Sequence, residues 1–243
     1  MSKLQDRVAV ITGASTGIGK SIAVAYAAEG AKAVLASRNS EKLEGVAQEI
    51  ERAGGTAIVV PVDVTAEDAV VGLFQQALEA FDRIDILVNN AGVSKGAPTD
   101  ELSLEVWQQV IDVNLTAAFL CSREALKIMK TRRSGRIINI GSVSAKVPRV
   151  HSAAYTTSKF GLEGLTRSLA LDAREFGIAV SILHPGNTAT PIWTGREEMA
   201  RQEGVMSPDD LARVAVTIAA LPPEINLLES LVLPVSMPFV GRG

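Results

Sequence analysis

The chain has 243 residues, of which 47% are hydrophobic and 21% charged, and its formal net charge is −3. This length suits one α/β domain with a large core. The negative net charge gives no indication of a basic surface that would bind nucleic acid or an anionic membrane. The single cysteine excludes an internal disulfide, and two histidines, His151 and His184, are too few and too far apart to indicate a metal site.

Apolar runs of strand length alternate with helical patterns along the chain, which predicts a doubly wound parallel sheet of about seven strands flanked by helices. Strands are expected at 8–12, 33–37, 57–61, 84–88, 136–140 and 179–183, with a short seventh strand near 230–233. Helices are expected at 18–29, 41–53, 66–81, 103–131, 153–176 and 208–220. No repeat or second domain is evident, so residues 1–243 are predicted to form a single domain.

A glycine-rich turn, GASTGIG, follows the first strand and leads into the first helix. Glycines let the backbone approach a ligand, and free N–H groups at a helix N-terminus attract an anion, so the turn predicts a diphosphate site. Its spacing is neither Gly-x-Gly-x-x-Gly nor a Walker loop, and a plain strand-to-helix turn is the alternative. The candidate binding residues are Gly13, Ser15, Thr16, Gly17, Ile18 and Gly19.

Tyr155 and Lys159 are four residues apart, so on a helix they share a face. A nearby ammonium favours the phenolate and lowers the pKa of the tyrosine, which would suit it to proton transfer near neutral pH. Ser142 lies 13 residues before Tyr155, after the apolar run 136–140. The Tyr-x-x-x-Lys pattern alone often marks an ordinary solvated helix face, and its meaning depends on the other motifs.

Together these motifs resemble those of the short-chain dehydrogenase/reductase family, including its 3-oxoacyl-acyl-carrier-protein reductases. Residues 12–19 resemble its Thr-Gly-x-x-x-Gly-x-Gly motif, residues 89–92 its Asn-Asn-Ala-Gly signature, and residues 185–190 its Pro-Gly-x-x-x-Thr segment. The resemblance implies a Rossmann-type fold and a catalytic tetrad of Asn114, Ser142, Tyr155 and Lys159. It also implies cofactor contacts from Asp63, Val64, Asn90, Ala91, Gly92, Tyr155, Lys159, Pro185, Gly186, Thr188 and Thr190.

The same resemblance assigns a role to each tetrad residue. Tyr155 would exchange a proton with the substrate oxygen, Ser142 would hydrogen-bond that oxygen, and Lys159 would lower the tyrosine pKa and bind the nicotinamide ribose. Asn114 would hold a water that links Lys159 to solvent. Read individually, Ser142 could simply end a strand and Asn114 could be an ordinary buried amide. His184 is predicted to pack at a strand end, and His151 to lie at the substrate rim.

The end of the second predicted strand indicates the cofactor. NAD sites usually place an acidic residue there, whereas an arginine suits the 2′-phosphate of NADP. Here Ser37 and Arg38 occupy the position, with no acid until Glu41. The sequence therefore favours NADP(H), with NAD(H) still open, because Arg38 could instead cap a surface loop.

Two segments depart from the common family pattern. Residues 191–207, where relatives carry a substrate lid, are short and include Trp193 and Met199. The tail 234–243 contains Pro234 and Pro238, which predict an extended conformation that either reaches a neighbouring subunit or covers the site.

The expected partners are a small carbonyl or alcohol substrate and further copies of the chain, with neither nucleic acid nor a membrane. Segments 103–131 and 153–176 carry apolar residues beyond one stripe, which favours a homotetramer, or otherwise a dimer. Without a signal peptide or a membrane-spanning run, we expect a cytoplasmic protein. Three alternatives remain open: a nucleotide-sensing regulator, a family enzyme of dehydration or epimerisation, and a hydroxy-acid, sugar or steroid dehydrogenase rather than a 3-oxoacyl-thioester reductase.

Overall fold

The computed structural model describes residues 2–191, 198 and 202–239. Its centre is a seven-stranded sheet in which every neighbouring pair is parallel, in the order β3-β2-β1-β4-β5-β6-β7. The strands are β1 (Val8–Thr12), β2 (Lys32–Ser37), β3 (Thr56–Pro61), β4 (Ile86–Asn89), β5 (Gly135–Ile140), β6 (Ile178–Pro185) and β7 (Glu229–Val232). The predicted doubly wound parallel sheet is confirmed, with strand bounds that differ from the predicted ones by a few residues.

Seven α-helices flank the sheet within the described residues. They are α1 (Gly17–Ala28), α2 (Ser40–Arg52), α3 (Glu67–Phe81), α4 (Leu104–Ile111), α5 (Ala117–Arg132), α6 (Ala153–Arg174) and α7 (Pro208–Ala220). One prediction was wrong in detail, because the segment predicted as a single helix at 103–131 contains a π-helical stretch, Asp112–Thr116, between α4 and α5. A π-helical stretch is a local irregularity that often marks functional sites, and the apolar pattern gave no sign of it.

The sheet is covered on both faces, as a parallel sheet requires. Alternate residues of a strand point to opposite faces, so Ala9 and Ile11 pack with α1, α2 and α7, whereas Val8 and Val10 pack with α3, α5 and α6. All five residues of β1 are buried, which explains its continuous apolar run.

Local signals fix several helix starts. Asn39 accepts a hydrogen bond from the amide of Lys42 at the start of α2, and Ser103 accepts one from Val106 at the start of α4. Ser207 and Asp210 form a capping box at the start of α7, where Pro208 occupies the first turn. These caps keep the helix N-termini, and the loops that precede them, in fixed positions.

The strand order places a crevice at the carboxyl edge of the sheet. After β1 the chain builds outward to β3 and then returns to β4 on the other side of β1. The loops after β1 and β4 therefore diverge, and ligands of such sheets bind where the order reverses.

Fewer apolar residues of α4–α6 are exposed on a second face than the sequence predicted. Val110, Leu120 and Leu162 are buried inside the subunit, so they belong to its own core. Phe119 and Phe160, by contrast, are 44% and 48% exposed. Leu104 and Leu171 are also exposed.

The segment after β7 folds back on its own subunit. The amide of Met237 donates to the carbonyl of Pro234, so the tail begins with a turn and the extended conformation predicted from its prolines was wrong there. The Ser236 hydroxyl donates to the carbonyl of Glu203. Residues 240–243, and Trp193 and Met199 of the predicted lid, lie outside the described residues. Within the described part of the chain, no helix combines the length and apolarity needed to cross a membrane.

Candidate active site

A cavity of ≈ 990 Å³ opens at the carboxyl edge of the sheet and joins the glycine-rich turn to Tyr155. Of the predicted site residues, nineteen line it: Gly13, Ser15, Thr16, Gly17, Ile18, Ser37, Arg38, Asp63, Val64, Asn90, Ala91, Gly92, Ser142, Tyr155, Lys159, Pro185, Gly186, Thr188 and Thr190. The other two, Gly19 and Asn114, are not among its lining residues. The topology thus brings seven separate stretches of sequence to one place.

The glycine-rich turn has the backbone that its glycines permit. Gly13 and Gly17 have φ of +65° and +55°, a left-handed conformation that other residues rarely adopt. Asn90, after β4, braces the turn by donating from its side-chain amide to the carbonyls of Thr12 and Gly13. The Thr12 hydroxyl in turn accepts from the amide of Asn90. These bonds hold the turn and the start of α1 in position for an anionic ligand.

Residues at the end of β2 line one end of the cavity. The Ser37 hydroxyl oxygen is buried without a hydrogen-bond partner, and Arg38, which follows it, is exposed. Asp63 faces this region, but its carboxylate accepts bonds from the amide and hydroxyl of Thr65, which lower its pKa. Asp63 therefore holds a local turn through Thr65 and also forms part of the cavity wall.

Tyr155 and Lys159 lie on the first two turns of α6, on one face as their spacing predicted. The Lys159 side chain is 5% exposed, and its ammonium donates to the carbonyl of Ile140 at 2.8 Å. Burial lowers the pKa of Lys159 to about 8, because the charged form loses hydration. The sequence could not indicate this shift, since it depends on how deeply β5 and α6 enclose the ammonium.

Ser142 and Asn114 are held by different means. Ser142 follows β5 and caps a 3-10 turn at Val143–Ala145, where its hydroxyl accepts from the amide of Ser144 at 3.1 Å. Asn114 lies in the π-helical stretch, accepts from the amide of Val93 at 2.8 Å and donates to its carbonyl at 3.0 Å. Its amide also donates to the Ser158 hydroxyl on α6. Asn114 thus ties the loop after β4 to the helix that carries Tyr155.

At the end of the cavity away from β2, the structure adds several residues that the sequence did not predict. Lys95, Arg149 and Asn187 line it, and His151 lines it as expected for a rim residue. Arg149 bonds Glu203 and the side-chain oxygen of Asn187, which joins the loop before α6 to the segment before α7. His151 has φ of +57°, a strained conformation that is typical of functional loops.

Comparison with known proteins gives the family. Residues 7–201 match the short chain dehydrogenase family. A 3-oxoacyl-[acyl-carrier-protein] reductase of Synechocystis sp. is 42% identical over 191 residues, covering 78% of this chain and 77% of that protein. 3beta-hydroxysteroid dehydrogenase 1 of Eggerthella lenta is 38% identical over 229 residues, covering 89% and 88%.

A crystal structure of a metagenomic short-chain oxidoreductase in complex with NADP has the same fold, with a TM-score of 0.85 and 38% identity over 96% of this chain and 99% of that one. Both the sequence match, which spans most of the chain, and the shared sheet therefore lead to one conclusion. The chain belongs to the short chain dehydrogenase family of oxidoreductases.

Proposed function

We propose that this protein is an NADP(H)-dependent oxidoreductase that interconverts a carbonyl compound and a secondary alcohol, with Tyr155 as the acid and base. The observation that carries the proposal is the single cavity that links the glycine-rich turn and Arg38 to Ser142 and Tyr155. A diphosphate at the turn and a reacting oxygen at Tyr155 lie along one continuous space, as a bound dinucleotide would require.

The residues at the Tyr155 end fit proton transfer. A bound nicotinamide supplies or accepts the hydride. In reduction, the Tyr155 phenol donates its proton to the carbonyl oxygen, and the Ser142 hydroxyl donates a hydrogen bond to the same oxygen as negative charge develops. Lys159 places an ammonium beside the phenol and favours its ionised form. Asn114 keeps this helix joined to the loop after β4, and we retain for it the expected role of holding a water that resupplies the proton.

The end of β2 supports NADP(H) over NAD(H). The Ser37 hydroxyl is buried and has no hydrogen-bond partner among the described residues, so it is available as a donor to a ligand. The guanidinium of Arg38 follows it directly in the sequence and lines the same cavity. A 2′-phosphate would satisfy both groups with charge-assisted hydrogen bonds. The first residue after β2 is a cation rather than the carboxylate that a 2′-hydroxyl would need.

A specific observation favours a hydroxy acid or oxo acid as the substrate. At the substrate end the Lys95 ammonium bonds the neutral side chain of Gln109, whereas Arg149 is already paired with Glu203. The only carboxylate among the described lining residues, Asp63, lies at the β2 end. A lysine that is not paired with a carboxylate of the described residues in this part of the cavity attracts an anionic group. The named relatives act on 3-oxoacyl-acyl-carrier-protein and on 3β-hydroxysteroids, so these classes belong in the same comparison.

A substrate panel tests the proposal. Ketones and secondary alcohols, each acid paired with its methyl ester, are assayed with NADPH, NADH, NADP⁺ and NAD⁺ at the nicotinamide absorbance. We expect turnover with NADP(H), and preference for an acid over its ester. Tight NADPH binding without turnover of any member would favour the nucleotide-sensing regulator instead.

We also propose that the protein works as a homo-oligomer. Phe119 on α5 and Phe160 on α6 present apolar surface to solvent. An apolar face on the helix that carries Tyr155 is suited to a second copy of the chain, whose contact would also steady the catalytic residues. The tail contacts Glu203 and Gly186 of its own subunit. These contacts support a tail that covers the active site of its own subunit rather than one that binds a neighbouring subunit.

A further inference from the structure

His184, at the end of β6, contacts the backbone of Ser142. Its imidazole is fully buried, and its Nδ1 lies 3.2 Å from the Ser142 amide nitrogen and 2.9 Å from the Ser142 carbonyl oxygen. Gly141 leaves room for this approach, since a Cβ there would lie 2.4 Å from Nδ1. The prediction that His184 packs at a strand end therefore omitted its main contact, which is with a proposed catalytic residue.

The hydrogen bonds of Ser142 decide which imidazole nitrogen carries the proton. The Ser142 carbonyl already accepts from the amide of Ala145 at 3.0 Å. The acceptor that the structure gives the Ser142 amide is Nδ1 of His184. A proton on Nδ1 would donate to the Ser142 carbonyl at 2.9 Å, but it would leave the buried Ser142 amide without an acceptor and turn the Nε2 lone pair toward two carboxylates. A proton on Nε2 gives the amide its acceptor and directs an N–H toward those carboxylates, so we assign Nδ1 as the acceptor and place the proton on Nε2.

The Nε2 side of the ring faces an ion-pair network. Nε2 has no hydrogen-bond partner and lies 3.9 Å from a Glu163 oxygen on α6 and 3.8 Å from a Glu229 oxygen on β7. Lys146, from the loop after β5, is 2.6 Å from each of those two oxygens, and Arg167 bonds the other oxygen of each glutamate.

His184, Glu163 and Glu229 have the donor types and spacing of a metal site. The Lys146 ammonium, however, already binds the oxygens that a metal would need. Two carboxylates and two cations balance, so the network is an ion-pair cluster around the ring and not a metal centre.

We propose that His184 is the positioning residue of Ser142. Its neutral imidazole accepts a hydrogen bond from the Ser142 amide and thereby keeps the serine hydroxyl directed toward the cavity. The Lys146–Glu163–Glu229 network holds the far side of the ring. This inference rests on the proposed catalytic role of Ser142. It assigns a function in catalysis to a residue that touches neither substrate nor cofactor.

Protonation of His184 would break this arrangement, because an imidazolium has no acceptor for the Ser142 amide. Burial and the Lys146 charge lower the pKa of His184. A bond that a protonated Nδ1 would donate to the Ser142 carbonyl, and the charges of Glu229 and Glu163, oppose that shift. Removing the Lys146 charge leaves the two carboxylates facing the ring, and this raises the pKa of His184. We therefore expect Lys146→Met to move the acid limb of the kcat/KM profile to higher pH.

Two substitutions separate positioning from packing. In His184→Asn the side-chain oxygen can replace Nδ1 as the acceptor, whereas in His184→Leu the volume is kept but no acceptor remains. With the best substrate of the panel, we expect His184→Leu to lower kcat on the order of ten-fold, the scale of one unmet buried hydrogen bond. His184→Asn should stay within about three-fold of wild type, and both should bind NADPH normally. Equal losses in the two variants, or none in His184→Leu, would overturn the proposal.

A measurement without turnover keeps the inference testable if the leucine variant fails to fold or no substrate is found. The chain has two histidines, so His151→Gln leaves a single imidazole to observe by ¹⁵N chemical shifts in protein without a histidine tag. We expect the neutral tautomer with its proton on Nε2. A proton on Nδ1, or a ring that is charged at neutral pH, would contradict the assignment whatever the enzyme turns over.

Discussion

The Lys159 ammonium lies 5.8 Å from the centre of the Tyr155 ring, on the same face of α6. This contact joins the proposed acid to the cation that would favour its ionised form, inside a cavity that also receives Ser142. It is the part of the proposed mechanism that mutation can test most directly.

Tyr155→Phe removes the proton donor and keeps the ring. We expect turnover to fall by at least ~10²-fold, the scale of losing a general acid, while NADPH binding stays nearly unchanged. The matched control is Tyr26→Phe, because the Tyr26 hydroxyl donates to the Ala215 carbonyl in the core, away from the cavity. That variant should lose about 1 kcal/mol of stability and keep its turnover. Turnover of Tyr155→Phe within a few-fold of wild type would remove Tyr155 from the chemistry.

Arg38→Asp should reverse the cofactor preference. The change deletes the guanidinium and introduces a carboxylate that repels a 2′-phosphate but can accept from a 2′-hydroxyl. We expect NADP(H) binding to weaken by about 2–3 kcal/mol, with NAD(H) binding improved, as measured by fluorescence titration. Arg52→Asp on α2, where Arg52 bonds Gln48, is the control and should leave both affinities unchanged. A wild-type preference for NAD(H) would show that the end of β2 was misinterpreted.

The buried charge of Lys159 predicts how stability depends on pH. The folded-state pKa is about 8, below the usual value of 10.5, so between these values the unfolded chain binds more protons and stability rises with pH. Lys159→Met removes this contribution. We expect the wild-type free energy of unfolding, relative to the variant, to increase by about 2 kcal/mol from about pH 7.5 to about pH 9.5. Urea unfolding at one fixed protein concentration measures it, and a constant difference would contradict the shift.

Sedimentation at micromolar protein tests the oligomer. We expect a tetramer, and we expect Phe160→Glu to yield smaller species with lower turnover, because a charge on the exposed face of α6 opposes contact with a second copy. A tetramer needs a second interface besides the face of Phe160, and Leu228→Glu, at an exposed apolar position just before β7, tests whether that edge of the sheet supplies it. A fully active monomeric wild type would end the proposal, whereas a stable wild-type dimer would leave only the second interface wrong.

Much of the fold could be predicted because its signals are local. The run of β1 reads as a buried strand by itself, and the spacing of Tyr155 and Lys159 places them on one helix face wherever that helix lies. The π-helical stretch at Asn114 could not be predicted in this way. Its helical pattern is uninterrupted, and the irregularity appears only where the Asn114 amide meets Val93 and Ser158.

The sequence by itself determined the strands, most of the α-helices, the glycine turn and the candidate reactive side chains, since propensity, periodicity and capping act over a few residues. Only the tertiary structure decided that Ser37 keeps an unpaired hydroxyl, that Lys159 loses its water, and that His184 reaches the backbone of Ser142. Each of these depends on strand order and burial. Residues 42 positions apart meet because β5 and β6 are neighbours, and no local pattern encodes that pairing.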